Sequence, residues 1–222
     1  MDVDEQQGSV WDRGADGYDA ATAVVERTML APVRRWLLAD TGGEVLEVAV
    51  GTGANLPHYP HGVRVVGVER SGPMLALAAE RADRLGRDVH LVQADARALP
   101  FDDDSFDTVV CTFALCGITP PDEALDQMLR VLRPGGRLLL ADHVESSAAP
   151  VRVLQAGADR MTAATGECWR RRPLTWVQAA GLVVERRRTS RLRLLEAFAA
   201  RADRRTGSGH APGPTVDGPT AG

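Results

Sequence analysis

The stretch that decides the fold runs from Glu44 to Asn55 and reads EVLEVAVGTGAN. Its first seven residues, 44–50, form a short valine-rich run, which predicts a strand buried on both faces of a sheet. Gly51 and Gly53 follow at once, and glycine permits a tight turn and close approach of the backbone to a ligand. In open α/β sheets ligands bind beyond the carboxyl ends of the strands. A Gly-x-Gly turn alone is equally typical of an ordinary loop, so the neighbouring elements must decide.

Similar apolar runs recur along the chain and predict further strands at 63–68, 89–93, 106–113 and 137–141. Two amphipathic stretches between them predict helices over 71–85 and 122–132, the second ended by the Arg-Pro-Gly-Gly sequence at 133–136. Strands that alternate with helices at this spacing predict right-handed β-α-β units. The predicted fold class is therefore α/β, with a mostly parallel sheet and helices on both faces.

The flanking regions carry weaker patterns. Apolar residues recur at helical spacing over 15–39, where Pro32 is expected to split the helix. After the fifth strand we expect helices over 148–164 and 174–180, a strand over 182–189, and either a strand or a helix over 191–200. From residue 206 the chain is rich in Gly, Pro and Thr and has almost no apolar residues, a composition that predicts disorder.

Composition excludes several classes of protein. The chain has 222 residues, 44% hydrophobic and 25% charged, with a formal net charge of −4, which argues against nucleic acid as a partner. No apolar run approaches the ~18 residues of a membrane-spanning helix, and the N-terminus lacks the features of a secretory signal. Three cysteines without a Cys-x-x-Cys pair favour a reduced, cytoplasmic protein. All 26 basic residues are arginines, which excludes a Walker A lysine and Schiff-base chemistry.

Hydrogen-bond acceptors follow the next two predicted strands. Glu69 lies 16 residues beyond Gly53, a spacing suited to a carboxylate that accepts from both hydroxyls of a ribose. Asp95 follows the third strand and could accept from an exocyclic adenine amine, and the apolar segment 112–116 after the fourth strand could cover a base or a substrate. Each carboxylate alone is equally well explained as a solvated strand end. Together, and in this order, they predict a pocket for a ligand that contains adenosine.

With these motifs the chain resembles the class I S-adenosylmethionine-dependent methyltransferases. The matching segments are VLEVAVGTGANL (45–56), VVGVERSGPML (65–75), LVQADARALPFDDDSFDTVV (91–110) and DEALDQMLRVLRPGGRLLLADHV (122–144). The resemblance covers roughly residues 10–185 and is strongest to the branch with ubiquinone/menaquinone methyltransferases and methyltransferase-like thiol and phospholipid methylating enzymes. It implies a Rossmann-like, seven-stranded, mostly parallel sheet. The domains it implies are an N-terminal helical lid over 1–40, a methyltransferase domain over 41–200 and a disordered tail over 201–222.

The resemblance also implies a cofactor site. Glu47, Gly51 and Gly53 would line the methionine part of S-adenosylmethionine, and Glu69 would hold the ribose. The further residues that the resemblance assigns to the cofactor are Tyr18, Ala49, Asn55, Arg70, Asp95, Ala96, Phe113 and Ala114. Ala49 is a departure from the family pattern, because the first glycine of acidic-x-Gly-x-Gly-x-Gly is replaced, and its methyl group is expected to crowd the turn.

The acceptor side is less well defined by the sequence. His143 follows the fifth strand and is a candidate general base, with Asp142 to orient it, although a histidine here could equally cap the strand end. The candidate substrate-contacting residues are Trp11, Cys116, Cys168 and Arg172. Core or lid packing, buried thiols and a solvated arginine run explain these residues equally well. The cysteine spacing gives no sign of a metal or metalloid site, so we expect no metal.

The sequence therefore predicts methyl transfer from S-adenosylmethionine to a small-molecule acceptor by in-line displacement. One alternative is a methyltransferase-like protein that binds the cofactor without turnover. The other is a nicotinamide-dependent oxidoreductase, but Leu56 occupies the position of the third glycine in a dinucleotide fingerprint. The acceptor atom and the oligomeric state are not predicted.

Overall fold

A single seven-stranded sheet organises the part of the chain that the structure describes. The structure is a computed structural model that describes residues 3–161, 168 and 170–202, with side chains described from residue 11 except at 158, 160 and 161. The strand order is β3-β2-β1-β4-β5-β7-β6. The strands are β1 (Glu44–Val48), β2 (Arg64–Glu69), β3 (Val89–Gln93), β4 (Phe106–Thr112), β5 (Leu132–His143), β6 (Val183–Thr189) and β7 (Leu195–Arg201).

The pairing is parallel from β3 to β5 and antiparallel beyond it. Chain order reverses between β1 and β4, which are neighbours although two strands separate them in sequence. Such a reversal opens a crevice at the carboxyl ends of the strands. The fold is the predicted seven-stranded Rossmann-like sheet, and the ambiguous segment 191–200 contributes a strand.

Helices cover both faces of this sheet. They are α1 (Val3–Val25), α2 (Ala31–Leu38), α3 (Gly72–Leu85), α4 (Pro121–Val131), α5 (Ala149–Met161) and α6 (Pro173–Ala179). One core cluster joins Leu46 and Val48 of β1 to Met128 of α4, and the other joins Val45 of β1 to Leu37 of α2. Alternate residues of one strand thus enter opposite cores, as expected for a strand buried on both sides.

Three predicted boundaries are wrong. The N-terminal helix begins at Val3 rather than at residue 15, and no local pattern indicated this because residues 3–14 lack a continuous apolar stripe. A π-helical segment, Glu26–Leu30, separates α1 from α2. Pro32 lies in the first turn of α2, where its missing N–H is tolerated. The backbone stays right-handed helical at Val25, Leu30 and Ala31, so the predicted split is a change of helix type before Pro32 rather than a break at it.

Another error concerns β5, which begins at Leu132 rather than at residue 137. The helix before it ends at Val131, close to the predicted position, but the Arg-Pro-Gly-Gly sequence that follows lies within the strand as an irregularity. Phe106 pairs with Leu132 and Thr108 pairs with Arg137, so one residue on β4 faces four on β5. Gly136 permits this bulge, because a Cβ there would lie 2.8 Å from the carbonyl oxygen of Arg133.

The third error concerns β7, which begins at Leu195, four residues after the predicted start at 191. The remaining boundaries agree with the predicted ones to within about two residues where they can be compared. The end of the predicted helix over 148–164 and the tail beyond residue 202 lie outside the described residues. Among the residues described, none of the helices combines the length and the apolar character needed to cross a bilayer.

Candidate active site

The loop after β1 forms the centre of the carboxyl edge of the sheet. The Val50 amide donates to the Val68 carbonyl oxygen of β2 at 2.9 Å, which extends the strand pairing into the loop. Gly51 and Gly53 have φ angles of 55° and 79°. A Cβ at Gly53 would lie 2.8 Å from the Leu56 side chain, whereas a Cβ at Gly51 would meet no atom within 4 Å. Gly53 therefore serves packing, and Gly51 borders open space.

Glu69 ties this loop to the start of α3. One carboxylate oxygen accepts from the Gly51 amide at 3.0 Å, and the other accepts from the Ser71 amide at 2.9 Å. Burial raises the pKa of Glu69, and the backbone hydrogen bonds from Ser71 and Gly51 act against that rise. The carboxylate lies where the ribose acceptor is predicted, and each oxygen retains capacity for a further donor.

Asp95 is already engaged by a neighbouring arginine. Its carboxylate accepts from the Arg97 guanidinium at 2.8 Å and from the Arg97 amide at 2.8 Å, and Arg70 lies 3.8 Å away. The side-chain hydrogen bond from Arg97 holds the pKa of Asp95 below its usual value. Ala96, next in sequence, is buried. The carboxylate is therefore fixed and ionised, and its predicted contact with adenine stays a prediction.

Glu47 lies beneath the glycine loop in a buried polar network. Its two carboxylate oxygens accept from Asn55 Nδ2 at 2.9 Å and from the Tyr59 hydroxyl at 2.8 Å. Asn55 Nδ2 also donates to Thr112 Oγ1, at the end of β4, at 2.9 Å. Burial raises the pKa of Glu47 to about 7, although the hydrogen bond from Tyr59 and the charge of Arg34 act to lower it. The predicted contact of Glu47 and Asn55 with the cofactor stays a prediction.

Arg34 of α2 joins the same network, and sequence reasoning missed it. Its Nη1 donates to Asn55 Oδ1 at 2.9 Å and to Thr112 Oγ1 at 2.6 Å, and its Nε donates to Glu26 at 3.0 Å. Its guanidinium carbon lies 4.9 Å from the Phe113 ring centroid. The available signal was its place on the apolar stripe of the helix, four residues after Leu30 and in line with Leu37 and Leu38. A charged residue on that stripe indicates a buried ionic contact.

Helix α1 lies across the edge of the sheet beside the loop. Asp12 accepts from Ser71 Oγ at 2.5 Å, and Asp19 accepts from Thr52 Oγ1 at 2.8 Å and pairs with Arg81. The rings of Trp11 and Tyr18 meet edge to face at 6.2 Å. Trp11 also packs beside Gly117, where an added Cβ would lie 3.6 Å from the indole. The structure thus brings both predicted aromatic residues over the edge that carries Glu69.

Asp142 and His143 lie at the end of β5, beside the 3-10 turn Leu115–Gly117. Asp142 is buried and accepts from the amides of Cys116 at 2.9 Å and of His143 at 2.7 Å. His143 Nδ1 lies 3.6 Å from Asp142 Oδ1 and 3.9 Å from Cys116 Sγ. The Phe113 ring centroid is 5.8 Å from that of His143. Asp142 therefore fixes the backbone around both Cys116 and His143.

The donor atoms of Cys116, Asp142 and His143 lie within 4.8 Å of one another, which is compact enough for a single cation. Both carboxylate oxygens of Asp142, however, already accept backbone hydrogen bonds. The arrangement is explained by those bonds and does not require a metal.

The other predicted acceptor-side residues are dispersed around this turn. The Cys168 amide donates to the Cys116 carbonyl oxygen at 2.9 Å, which places Cys168 beside the turn. Ala114 precedes the turn, and its carbonyl oxygen accepts from the Gly117 amide at 2.9 Å. Arg172 is paired with Glu145, and its side chain is largely exposed. The site is thus built from the ends of β1, β2, β3, β4 and β5, with α1 above them.

Comparison with known proteins identifies the domain that carries these residues. A family model described as Methyltransferase domain matches residues 46–140. The chain is 40% identical over 121 residues to a phosphatidylethanolamine N-methyltransferase from Cereibacter sphaeroides, covering 54% of this chain and 60% of that protein. It is 34% identical over 158 residues to a demethylmenaquinone methyltransferase from Renibacterium salmoninarum, covering 68% of this chain and 64% of that protein. The chain thus spans less than two thirds of the length of either relative.

Solved structures share the fold at lower identity. A SAM-dependent methyltransferase from Thermotoga maritima superposes with a TM-score of 0.69 and 18% identity, covering 88% of this chain and 99% of that one. The [4+2]-cyclase SpnF superposes with a TM-score of 0.64 and 22% identity, covering 80% of each chain. At these identities the likeness establishes the architecture alone.

The conformation of Ala49 generates the first prediction. Its φ of 57° lies in the left-handed region, which costs a residue with a Cβ on the order of 1 kcal/mol or more. We expect Ala49→Gly to raise the free energy of unfolding by about 1 kcal/mol, measured by urea denaturation. Ala54→Gly, in the same loop but without a positive φ, is the control and should not stabilise. If the two variants changed the free energy of unfolding equally, backbone strain at Ala49 would not be the cause.

The second prediction concerns the pH dependence of stability. The pKa of Glu47 is about 7 in the folded chain, whereas its ordinary value, which applies in the unfolded chain, is 4.5. Between these two pH values the folded chain therefore binds more protons than the unfolded chain does. Stability should therefore fall as pH rises from 4.5 to 7, by on the order of 2–3 kcal/mol. Glu47→Gln should remove this component, whereas the exposed Glu123→Gln should retain it. The assignment would be contradicted if the free energy of unfolding changed with pH in the same way in the wild type and in Glu47→Gln across this range.

Proposed function

We propose that the protein transfers a methyl group from S-adenosylmethionine to a small-molecule acceptor, and the match of residues 46–140 to a family model described as Methyltransferase domain supports this. The observation that carries the proposal is the Glu69 carboxylate, which bridges the Gly51 and Ser71 amides and so joins the loops after β1 and β2 at the carboxyl edge of the sheet. This arrangement fixes a ribose acceptor next to a glycine loop, where a nucleoside can approach the backbone.

The residues at this edge fit that cofactor. A Cβ at Gly51 would meet open space, so the loop leaves room beside Glu69. Glu69 and Asp95 supply carboxylate acceptors for ribose hydroxyls and an exocyclic amine, and their negative charge complements a cationic ligand. Tyr18 of α1 stands over the same edge and is suited to the methionine end. These assignments, together with those for Ala49, Arg70, Phe113 and Ala114, remain part of the proposal.

When bound, S-adenosylmethionine supplies a methyl group on a sulfonium cation whose leaving group is a neutral thioether. The chain's own task is to hold the acceptor in line with that group in a site from which water is excluded, and such orientation can contribute ~7–11 kcal/mol. Trp11, Phe113 and Cys116 form apolar surface around the acceptor side. We assign to α1 and α2 the role of a lid over this surface, within the proposed 1–40 region.

His143 is the proposed general base. Its backbone is fixed by Asp142, whose buried carboxylate accepts a hydrogen bond from the His143 amide. Its imidazole lies beside the Phe113 ring and the Cys116 thiol. It is therefore suited to accept the proton that an acceptor loses as its nucleophilic atom forms a bond to the methyl group. Asp142 acts in this proposal as a positioning residue.

The acceptor is proposed to be small. Phosphatidylethanolamine and demethylmenaquinone are named as acceptors for the two relatives described above, and they are the first compounds to test here. The acidic net charge supports a small-molecule rather than a nucleic-acid partner. The three cysteines are free thiols, which supports a cytoplasmic location.

A second candidate is a protein that binds the cofactor without methyl transfer. The strained φ of Ala49, at the position of the first family glycine, favours it because the strain alters the loop that would hold the methionine. The nicotinamide alternative is disfavoured, because Leu56 begins a short 3-10 helix and is buried in the core. No long helix starts there to face a pyrophosphate.

The function is tested by calorimetry and by transfer of a radiolabelled methyl group. We expect binding of S-adenosylhomocysteine and labelling of an acceptor from a panel that includes the two named compounds. Absence of binding up to millimolar concentration would reject the proposal. Binding without labelling of any acceptor would favour the second candidate.

Glu69→Gln tests the ribose site. The variant keeps an oxygen to accept from one amide but loses the charge, so we expect the affinity for S-adenosylhomocysteine to fall about 10- to 100-fold, by calorimetry. Glu80→Gln, an exposed neutralisation on α3, is the matched control and should bind as the wild type does. An unchanged affinity in Glu69→Gln would show that the ribose is held elsewhere.

His143→Gln tests the general base. We expect kcat with the labelled acceptor to fall ~10²–10⁴-fold while the affinity for S-adenosylhomocysteine is retained. His90→Gln, an exposed histidine of β3, serves as the control for loss of an imidazole. A kcat within a factor of a few of the wild type would remove His143 from the reaction.

A further inference from the structure

The outer face of α5 carries no charged side chain over its first nine residues. Its exposed residues are Ala149, Pro150, Val153, Leu154 and Gly157. Val153 and Leu154 are each 73% exposed, the most exposed large hydrophobic side chains among the described residues. The opposite face is anchored, because Gln155 is buried and bonds to the Val144 carbonyl oxygen and the Ser146 amide. The orientation that exposes Val153 and Leu154 is thus fixed by the fold.

The turn between β6 and β7 lies beside the start of α5. Ser146 Oγ donates to the Leu192 carbonyl oxygen at 2.6 Å, and the Val144 amide donates to the Leu194 carbonyl oxygen at 3.1 Å. Arg191, Leu192 and Arg193 are all exposed at this turn. Within the described part of the chain, no carboxylate pairs with Arg191 or Arg193. We refer to Val153 and Leu154 of α5 together with 191–193 as the α5/turn surface.

The α5/turn surface belongs to the edge of the sheet that carries the active site. Strand β7 is antiparallel to β5, and its first residue, Leu195, pairs with His143. The turn that precedes β7 is therefore at the carboxyl end of β5. A cavity of about 380 Å³ adjoins it, lined by Val144 next to His143 and by Arg172 and Arg193. This cavity therefore borders both the α5/turn surface, through Arg193, and the residue that follows His143.

We propose that the α5/turn surface docks on an anionic phospholipid bilayer, and that the methyl acceptor is an amphiphile taken from that bilayer. The second part rests on the proposed function. Exposed aliphatic side chains flanked by arginines are the combination that binds the lipid–water interface. Each cation near an anionic bilayer strengthens the attraction, and burial of the aliphatic side chains adds to this.

Charge complementarity favours an anionic bilayer as the occupant of this surface. The positive charge is local, since the chain as a whole has a net charge of −4. The carboxylates near the surface are neutralised internally, because Glu145 pairs with Arg172 and Glu196 pairs with Arg187. Arg191 and Arg193 therefore present positive charge directly beside apolar side chains.

The test is sedimentation of the full chain with vesicles of phosphatidylcholine, with and without phosphatidylglycerol. We expect binding that needs the anionic lipid and weakens as salt is raised. The double variant Val153→Glu/Leu154→Glu and the variant Arg193→Glu should each lower vesicle affinity by at least about tenfold. Val183→Glu is the matched control, since this valine is 60% exposed. It pairs with Arg201, which pairs with Arg137 of β5, so it lies toward the amino ends of the parallel strands and away from the α5/turn surface. This variant should bind vesicles as the wild type does.

Calorimetry with S-adenosylhomocysteine separates this inference from the proposed function. The surface variants should bind it with wild-type affinity, which also reports that they fold. With an acceptor embedded in vesicles they should raise KM and leave kcat unchanged. Failure of the wild type to bind anionic vesicles would overturn the inference, as would equal binding by the double variant and Val183→Glu. Absence of S-adenosylhomocysteine binding would instead overturn the proposed function.

Discussion

A guanidinium buried at the carboxyl edge of the central strands is the constraint on which the site depends. Removing a charge from water costs several kcal/mol unless it is fully paired. Arg34 meets this requirement with Glu26, Asn55 and Thr112 as acceptors, with Glu47 nearby in the same network. Each acceptor comes from a different element: the π-helical segment, the loop after β1, and the end of β4. The burial of one side chain therefore fixes the relative positions of the π-helical segment, the glycine loop and the end of β4.

This network also explains where the backbone is strained. Ala49 and Phe113 have φ angles of 57° and 54°, and both directly follow central strands at the active-site edge. Such conformations persist only where the surroundings fix them, and they concentrate at functional sites. Asn55 and Thr112 hold the two loops from below, and Arg34 packs against the Phe113 ring. The strain at both positions is thus maintained by the same buried charge.

The sequence predicted the elements whose cause is local and missed those whose cause is a distant partner. Strands β1 to β4 are valine-rich runs bounded by turns, and Glu69 and Asp95 follow from the rule that ligands meet strand ends. The role of Arg34 depends on Asn55 and Thr112, which lie 21 and 78 residues away in sequence. No local pattern encodes such a contact. The early start of β5 was missed for the same reason, because it is the pairing of Leu132 with Phe106 that makes a Pro-Gly-Gly sequence part of a strand.

The two halves of the site differ in how strongly the fold dictates them. The proposed cofactor half consists of the glycine loop and the Glu69 carboxylate, which is held by hydrogen bonds from the Gly51 and Ser71 amides. These features follow from the strand-loop-helix geometry itself. The acceptor half depends on a short 3-10 turn fixed by Asp142 and on side chains from α1 and the region around Cys168. The solved structures that share this fold include a cyclase and a methyltransferase, so the sheet alone does not set the chemistry. Under the proposed function, we therefore expect the identity of the acceptor to depend on the residues around Cys116 and His143 rather than on the motifs that define the fold.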